Sequence, residues 1–431
     1  MTLPTDHQNR IQLNNEVHAR PPESLVTPCA ISYLALYSAG QRGEDFRAIT
    51  ALAEMHGVPS PVEGAVHYSQ DFGSFRLKWE RHTEFSRLKV IVPKPEGGAF
   101  EKPAIKHLPT EWVANLPGTV IVATHVLFLP LPKKPIDPDQ LAKEAFGGNW
   151  LIGAEISGGS ASAFSDYRVH GDGFSRLVVY DNGLKPRQAG RTVQRILEID
   201  TYRMMALLAF PVARDLTPKL STQERELAQI ANAMTGDVTV EEPLLLDRLT
   251  GLQAQIESGH AETDYRFAAA RAYFDLVKRR INDLREERLT GLQTFAEFVE
   301  RRLQPAMHTC DAVATRQEEL SRRVARATQL LSTRVAVARE QQSQQVLESM
   351  ARRAKLQLRL QQTVEGLSVA AVTYYVVGLV GYLGKALEAI GLPVSAPIMM
   401  GIAIPVVAGL VWYGVHRVRE AVTRDEGDPV D

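Results

Sequence analysis

Two long apolar runs near the C-terminus constrain the fold more than any other feature of the sequence. Residues 366–384 include 19 positions without a formal charge, and residues 389–415 add a further 27. A helix needs about 20 apolar residues to cross the hydrocarbon of a bilayer. The two runs therefore predict a transmembrane helical hairpin over 366–416, with a short turn near 385–396. Two buried helices of a soluble bundle are the alternative.

Basic residues beside these runs predict how the hairpin is oriented. They precede the first span and follow the second: Arg352, Arg353, Lys355, Arg359, Arg417, Arg419 and Arg424. The turn carries only Lys385 and Glu388. Cytosolic flanks are enriched in Lys and Arg, so we expect a two-span protein of the bacterial inner membrane with both termini in the cytosol.

Polar side chains also occur inside the first span. Thr373, Tyr374 and Tyr375 place hydroxyl groups about halfway along it. Packing within the hairpin explains them, and so does a pore or a contact between subunits.

Upstream of the hairpin, apolar residues recur every three or four positions through 216–365, which predicts a long helical stalk. The stripe consists of Leu249, Leu252, Ile256, Phe267, Ala270, Phe274, Val277, Ile281, Leu284, Phe295 and Phe298. We expect the rest of the chain to cover only part of it, so that the stalk forms coiled coils between copies and the protein is a homo-oligomer.

The end of the stalk is basic. Residues 316–359 hold ten Arg or Lys against four Glu, a net charge of +6. A solvated helical face explains such a run; contact with anionic lipid headgroups and a charged ring around an ion path are the functional alternatives.

Between residues 28 and 215 the pattern is mixed and predicts an α+β cytosolic domain. It follows an N-terminal arm at 1–27, and a cytosolic tail at 417–431 ends the chain. Strands are expected over 29–37, 65–69, 74–81, 85–92, 119–129, 151–156, 162–169 and 174–180, and helices over 44–56, 138–146 and 186–212. This order reads strand, helix and three strands, twice. Because "FSRL" occurs at 85–88 and again at 174–177, the sequence predicts an internal duplication.

Two groups of charged residues are candidates for a binding site or a latch. Glu16, His18 and Arg20 alternate in the arm, and Lys78, Glu80 and His82 alternate on a predicted strand, with Glu84 opening the next. Alternate residues of a strand share one face. The arm docking on that strand through ion pairs is one interpretation. A binding or sensory site and a catalytic site remain open.

Several functional classes lack support in the sequence. No phosphate loop, zinc-protease helix, nucleophile elbow or dinucleotide turn is present, so we expect no enzyme and no cofactor. Cys29 and Cys310 lack the spacing of a metal site, so we expect no metal and no disulfide framework. A net charge of −1 gives no bias toward nucleic acid.

Three segments carry a resemblance to a known family. "NEVHARP" at 15–21, "KWERHTEF" at 78–85 and "VEGLSVAAVTYYVVGLVGYL" at 364–383 resemble a bacterial family of predicted membrane-anchored proteins of unknown function. The resemblance spans nearly the whole chain and implies membrane anchorage, but no chemistry.

The predicted plan is also similar to that of CorA-type magnesium channels, in which long helices lead into two C-terminal spans. Those channels carry Gly-Met-Asn at the outer end of the first span, whereas this chain reads "GYLGKALEAIG". The sequence favours a membrane-tethered scaffold or sensor with an unknown protein partner. An ion channel and a membrane-bound enzyme are the alternatives.

Overall fold

The computed structural model describes residues 4–11, 13–14, 21–38, 43–235, 242–391 and 393–425, with side chains to residue 417. Its contacts divide the chain into two compact units, Met1–Thr328 and Gln329–Asp431. Each unit is described separately.

A nine-stranded mixed sheet forms the centre of the first unit. Its strands are β1 (Cys29–Tyr37), β2 (His67–Asp71), β3 (Arg76–Arg81), β4 (Phe85–Pro93), β5 (Thr119–Pro130), β6 (Ile152–Ile156), β7 (Ala161–Ser165), β8 (Ser175–Asp181) and β9 (Glu287–Arg288). They lie in the order β2-β3-β4-β1-β5-β8-β7-β6-β9. The first eight strands match the sequence-based prediction to within a few residues at each end. Most of them are apolar segments bounded by turn residues, and β1 and β4 are buried on both faces.

Helices cover both faces of this sheet. Among the described residues from 43 onward, the helices are α1 (Glu44–Met55), α2 (Thr110–Ala114), α3 (Pro138–Ala145), α4 (Pro186–Leu207), α5 (Ala209–Thr235), α6 (Glu242–Leu284), α7 (Phe295–Arg302), α8 (Gln304–Ala389) and α9 (Ala396–Asp425), with a short 3-10 helix at Ala104–His107. On one face, α1 packs Ile49 and Leu52 against Trp79 and Leu88, and α3 packs Leu141 against Leu127. The opposite face lies under α4.

The two halves of the sheet repeat one strand order but not one set of strand directions. Starting from the centre, the orders are β1-β4-β3-β2 and β5-β8-β7-β6. However, β4 runs antiparallel to β1, whereas β8 runs parallel to β5. The fold is therefore α+β with a mixed sheet and long helices, and the internal duplication stays a prediction.

The apolar stripe of the helical region is covered within the chain, contrary to the sequence-based expectation. Leu249, Ile256, Phe267 and Val277 on α6 are all buried. Helix α6 packs against α4 and α5. Gly259 does not interrupt α6, because an isolated Gly costs a helix only about 1 kcal/mol, which packing offsets.

The second unit contains the end of α8 and all of α9. Helix α7 ends at Arg302, just before Pro305, and Pro305 lies in the first turn of α8, where proline is preferred. Helices α8 and α9 contact each other where Gly381 meets Met400 and Gly384 meets Ala396. Small residues permit this close approach.

Candidate functional site

A row of polar residues crosses the centre of the sheet on the face under α4. Strand register places Lys78 opposite Lys89, Lys89 opposite Tyr33, Tyr33 opposite Thr124 and Thr124 opposite Ser175. The side-chain period of two puts all five on the same face. Side chains buried this deeply are normally apolar, so the row of polar residues distinguishes this face from an ordinary core.

Four of the charged groups on this face form a buried ion network. Glu80 Oε1 lies 3.2 Å from Lys78 Nζ, and Glu80 Oε2 accepts a hydrogen bond from Arg87 Nε at 2.5 Å. Arg87 also donates from Nη1 to Glu198 Oε1 on α4, at 3.1 Å. Lys78, Glu80, Arg87 and Glu198 are all less than 9% exposed. Such pairs are costly to disrupt, because the remaining charge stays buried.

The network continues from the sheet through α4 to α6. Arg280 on α6 donates from Nε to Glu198 Oε2 at 2.5 Å, and Gln194 donates to Glu198 Oε1 at 2.8 Å. Nearby, Tyr33 and Thr201 share a 2.7 Å hydrogen bond between their hydroxyls. Glu198 thus joins three layers of the domain.

The surroundings of these groups shift their pKa values. Burial alone would raise the pKa of Glu80, but Arg87, Lys89 and Lys78 together lower it to about 2. Burial lowers the pKa of Lys89 to about 7, and Arg87 acts in the same direction. Burial also opposes ionisation of Glu198, yet Arg87 and Arg280 hold its pKa below the ordinary value. The carboxylates are therefore ionised at pH 7, whereas Lys89, with a pKa of about 7, is ionised only in part at that pH.

A short segment, residues 21–25, lies across the edge of this network and is called here the N-terminal strap. The carbonyl of Pro21 accepts a hydrogen bond from Lys78 Nζ. The Leu25 amide donates to the carbonyl of Pro186 at 3.0 Å. A Cβ atom on Gly190 of α4 would overlap the carbonyl oxygen of Glu23, so the strap lies directly on that helix.

The side chain of Glu23 fixes the strap to the outer strands. It accepts a hydrogen bond from Ser69 at 2.7 Å and lies 3.7 Å from Arg76. The strap is thus held at both β2 and β3.

The structure brings together only some of the charged residues predicted from the sequence. Lys78 and Glu80 share a face as predicted, while Trp79 is buried on the other. His82 lies beyond the end of β3, with its ring stacked on Phe85 at 4.5 Å.

Glu84 has a separate partner. It accepts hydrogen bonds from both terminal nitrogens of Arg266 on α6, at 2.8 and 3.3 Å. Glu16, His18 and Arg20 lie outside the described residues, so the latch between arm and strand stays a prediction.

The three polar residues of the first apolar run lie on α8. The Thr373 hydroxyl donates to the carbonyl of Val369 at 2.7 Å, which satisfies it within the helix. Tyr374 and Tyr375 are 77% and 72% exposed. A groove between α8 and α9 is lined by all three, together with Met400 and Ile404.

Sequence reasoning missed most of the network. The sequence pattern alone does not identify Arg87, Lys89, Glu198 or Arg280 as members of the network. Helices α4 and α6 approach β4 only in the folded chain. A signal was present in β4, "FSRLKVIVP", where two cations alternate within an otherwise apolar strand. Cations on one face of a strand buried on both sides require anionic partners.

A second buried polar group lies on the opposite face of the sheet. The Ser32 hydroxyl and His125 Nδ1 are 2.9 Å apart, and His125 Nε2 lies 3.8 Å from Asp172. Burial lowers the pKa of His125 to about 4. Ser32 is only 1% exposed and already accepts the Ile105 amide hydrogen. A nucleophile must be accessible to its substrate. We therefore interpret Ser32, His125 and Asp172 as a structural group.

The network itself offers cations and carboxylates. Among the residues that the structure describes, no group of three His, Cys, Asp or Glu side chains is placed to hold a metal ion. Because Lys78, Arg87 and Arg280 already pair with Glu80 or Glu198, the network stabilises the contact between the sheet, α4 and α6.

Comparisons with known proteins identify a family without an assigned activity. No curated protein matches the chain significantly. A family model described as "Protein of unknown function (DUF3422)" matches residues 5–422, which is nearly the whole chain. The chain therefore belongs to the DUF3422 family, a family of proteins of unknown function.

Proposed function

We propose that this protein is a membrane-anchored scaffold or sensor, attached to the bacterial inner membrane by a hairpin of α8 and α9. The observation that carries the proposal is the exposure of two long apolar helices. Of the most apolar 18-residue window in each, only 11% is buried for α8 and 0% for α9. Leu379 and Leu410, for example, are 68% and 65% exposed. Apolar surface of this extent requires lipid or protein to cover it.

Charge supports an arrangement with both termini in the cytosol. The basic residues lie before the first span and after the second, and the turn contributes only Lys385 and Glu388. This asymmetry favours retention of both flanks on the cytosolic side. Trp412 and Tyr413 then lie near the cytosolic interface, where aromatic rings are enriched.

The basic part of α8 favours contact with the membrane surface. In the stretch just before the first span, Arg352, Arg353 and Lys355 are all exposed. Each cation close to an anionic leaflet contributes about 1 kcal/mol of attraction. We therefore propose anionic lipid headgroups as partners of this segment.

Scaffolding or sensing fits the cytosolic part better than catalysis does. Its charged groups are paired within a covered network, and no catalytic sequence signature is present. The partner protein or ligand would bind to the first unit, and the apolar helices would keep the protein at the membrane.

Membrane extraction tests the anchor directly. We expect the full chain to stay in the membrane pellet after alkaline carbonate, and reporter fusions at both ends to report the cytosol. Replacing Leu379 and Leu410 together by Arg should release most of the protein. An Arg costs roughly 2.5–3.5 kcal/mol at a span centre, and it still opposes insertion at these positions a few residues away.

Val62→Arg provides the matched control, because Val62 is an 80% exposed apolar residue in the first unit. That variant should remain in the pellet. Full release of the unaltered protein by carbonate, or a periplasmic reporter at either end, would contradict the proposal.

A CorA-like channel is the alternative, favoured by the hydroxyl-lined groove between α8 and α9. Lining polar groups can replace the hydration shell of an ion. Magnesium flux into liposomes that disappears when Thr373 and Tyr375 are replaced would favour the channel over the scaffold.

A further inference from the structure

We propose that a cavity on the face of the sheet covered by α1 and α3 binds a small uncharged aromatic molecule of one or two fused rings. This inference goes beyond the proposed function and does not depend on membrane attachment, because every residue involved lies in the first unit.

The cavity has a volume of about 190 Å³ and lies between the central strands and the loop of residues 94–103, which follows β4. Its floor consists of Ala30 and Ile31 on β1 and of His125 and Leu127 on β5. All four are buried. The floor of the cavity is therefore part of the rigid sheet.

The other end of the cavity reaches the surface. Its rim is formed by four exposed residues of the loop, Glu96, Gly97, Gly98 and Lys102. Glu96 and Lys102 pair across the rim, with 3.0 Å between the Lys102 Nζ and Glu96 Oε2 atoms. A small molecule thus has a route from solvent to the floor.

The size of the cavity suits a small ring. Protein interiors contain few voids larger than a water molecule, and an apolar cavity of about 150 Å³ is known to hold benzene. At about 190 Å³ this cavity also has room for a second fused ring. Ala30, Ala99 and Ala104 line it, and their small side chains keep the space open.

The lining favours a ligand without charge. Most of the lining side chains are apolar, including those of Pro28, Ile31, Pro103, Leu127 and Leu129. Burial lowers the pKa of His125 to about 4, so its ring is neutral at pH 7. The two charged residues of the rim are paired with each other. An ion in the cavity would lose its hydration without gaining a partner.

Two rings in the lining favour an aromatic ligand. The centroids of His125 and Phe100 are 6.5 Å apart, and their planes are within 26° of parallel. Aromatic rings attract one another at centroid distances of about 4.5–7 Å. His125 is held in place by the Ser32 hydroxyl at 2.9 Å and by stacking on Phe174 at 3.8 Å.

The backbone also fixes Phe100. Its φ angle is 60°, a left-handed conformation that bulky residues rarely adopt. Strain of this kind is often found where the chain clamps a ligand. Phe100 is therefore positioned at the cavity by the loop, in the same way that His125 is positioned by the sheet.

The experiment is a methyl NMR titration of the full chain in detergent, with indole as the probe. Indole should shift the methyl resonances of Ile31 and Leu127 until they saturate. The expected Kd is about 1 mM or below, as for other ligands of this size. Indole that only dissolves in the detergent would change the resonances without saturation.

Two variants fill the cavity from different sides. Ala30→Leu acts from β1 and Ala104→Leu from the 3-10 helix, and each should weaken the binding of indole by about tenfold or more, because the larger side chain occupies the volume of the ring. Ala114→Leu is the matched control, since Ala114 is exposed on α2 outside the cavity. It should bind indole as the parent does.

Benzoate tests the class of ligand. It is similar in size to indole but negatively charged, so it should bind at least about tenfold more weakly. If neither leucine variant folds, nuclear Overhauser effects in the parent replace them. Indole protons must then show contacts with the methyl groups of Ile31 and Leu127.

Three results would overturn the proposal. The first is no saturable shift of these methyl groups at about 10 mM indole, roughly tenfold above the expected Kd. The second is undiminished binding in a folded Ala30→Leu or Ala104→Leu variant, or the lack of Overhauser contacts, which would place the ring elsewhere. The third is binding of benzoate as tight as that of indole, which would exclude an uncharged ligand.

Discussion

At the scale of single residues, Glu80 shows how the network depends on charge. It is 1% exposed and pairs with both Lys78 and Arg87. Its folded pKa of about 2 lies below the ordinary value of 4.5. A depressed acid contributes stability that is fully present above the unfolded pKa and is lost as the pH falls through the folded one. The stabilising effect of Glu80 is therefore lost between about pH 4.5 and 2.

We expect Glu80→Gln to lower the free energy of unfolding at pH 7 by about 3–5 kcal/mol, because Arg87 and Lys78 lose their shared anion. The variant should also lose less stability than the parent between pH 4.5 and 2. Chemical denaturation at several pH values measures both effects. Glu96→Gln is the control, since Glu96 is 82% exposed and should change stability by less than about 1 kcal/mol. Equal pH dependence in Glu80→Gln and the parent would contradict the assignment.

At the scale of elements, the strap crosses α4 at a single glycine, Gly190. Any side chain at Gly190 must displace the Glu23 carbonyl. Gly190→Ala should therefore release the strap, seen as faster hydrogen exchange of the Leu25 amide, which now bonds to Pro186. Gly251→Ala is the matched control, because a Cβ there meets nothing within 4 Å. In α6 that change should stabilise the chain by about 1 kcal/mol.

Unchanged exchange at Leu25 in Gly190→Ala would mean that the strap has another route across α4. Slower cleavage of the N-terminal region by a protease in the same variant would argue against release as well.

The elements show how far sequence patterns reach. Strand β1 was predicted with both ends correct, Cys29 and Tyr37, since its composition and flanks are unambiguous. Helix α2 and strand β9 were missed, because five and two residues are too short to show a period. The pairing of β9 with β6 depends on α6 returning to the sheet, which no local pattern encodes.

Half of the ion network could be predicted for a similar reason. Alternation within β3 placed Lys78 and Glu80 on one face, which is local information. The partners of Arg87 lie on β3 and on α4, and the second is separated from it by 111 positions. Only the folded topology brings Glu198 to β4.

At the scale of the whole molecule, self-association is proposed on new grounds. The stripe on α6 is buried within the chain, so it offers no surface for another copy. By contrast, every residue of α8 from 336 to 364 is exposed. This stretch includes Val346, Leu347, Met350, Leu356, Leu358, Leu360 and Val364. A single helix with such a surface gains stability by pairing with a parallel copy in the same membrane.

We expect light scattering in detergent to give the mass of a dimer or a larger assembly. Replacing Leu356 and Leu360 together by Glu should reduce that mass to the monomer, because two buried charges per helix would oppose pairing. Val62→Glu, in the first unit, should leave the assembly intact. A strictly monomeric parent protein would contradict self-association.

The pairing of β1 with β5 has a consequence for synthesis of the chain. These central strands join the two halves of the sheet, and β5 starts only at Thr119. A nascent chain that ends before this residue can form β1 to β4. The hydrogen-bonding edge of β1, "CAISYLALY", then stays unpaired and exposed to other proteins near the ribosome. Unpaired apolar edges promote aggregation. The first half therefore needs shielding, by a chaperone or by rapid elongation, until the second half emerges.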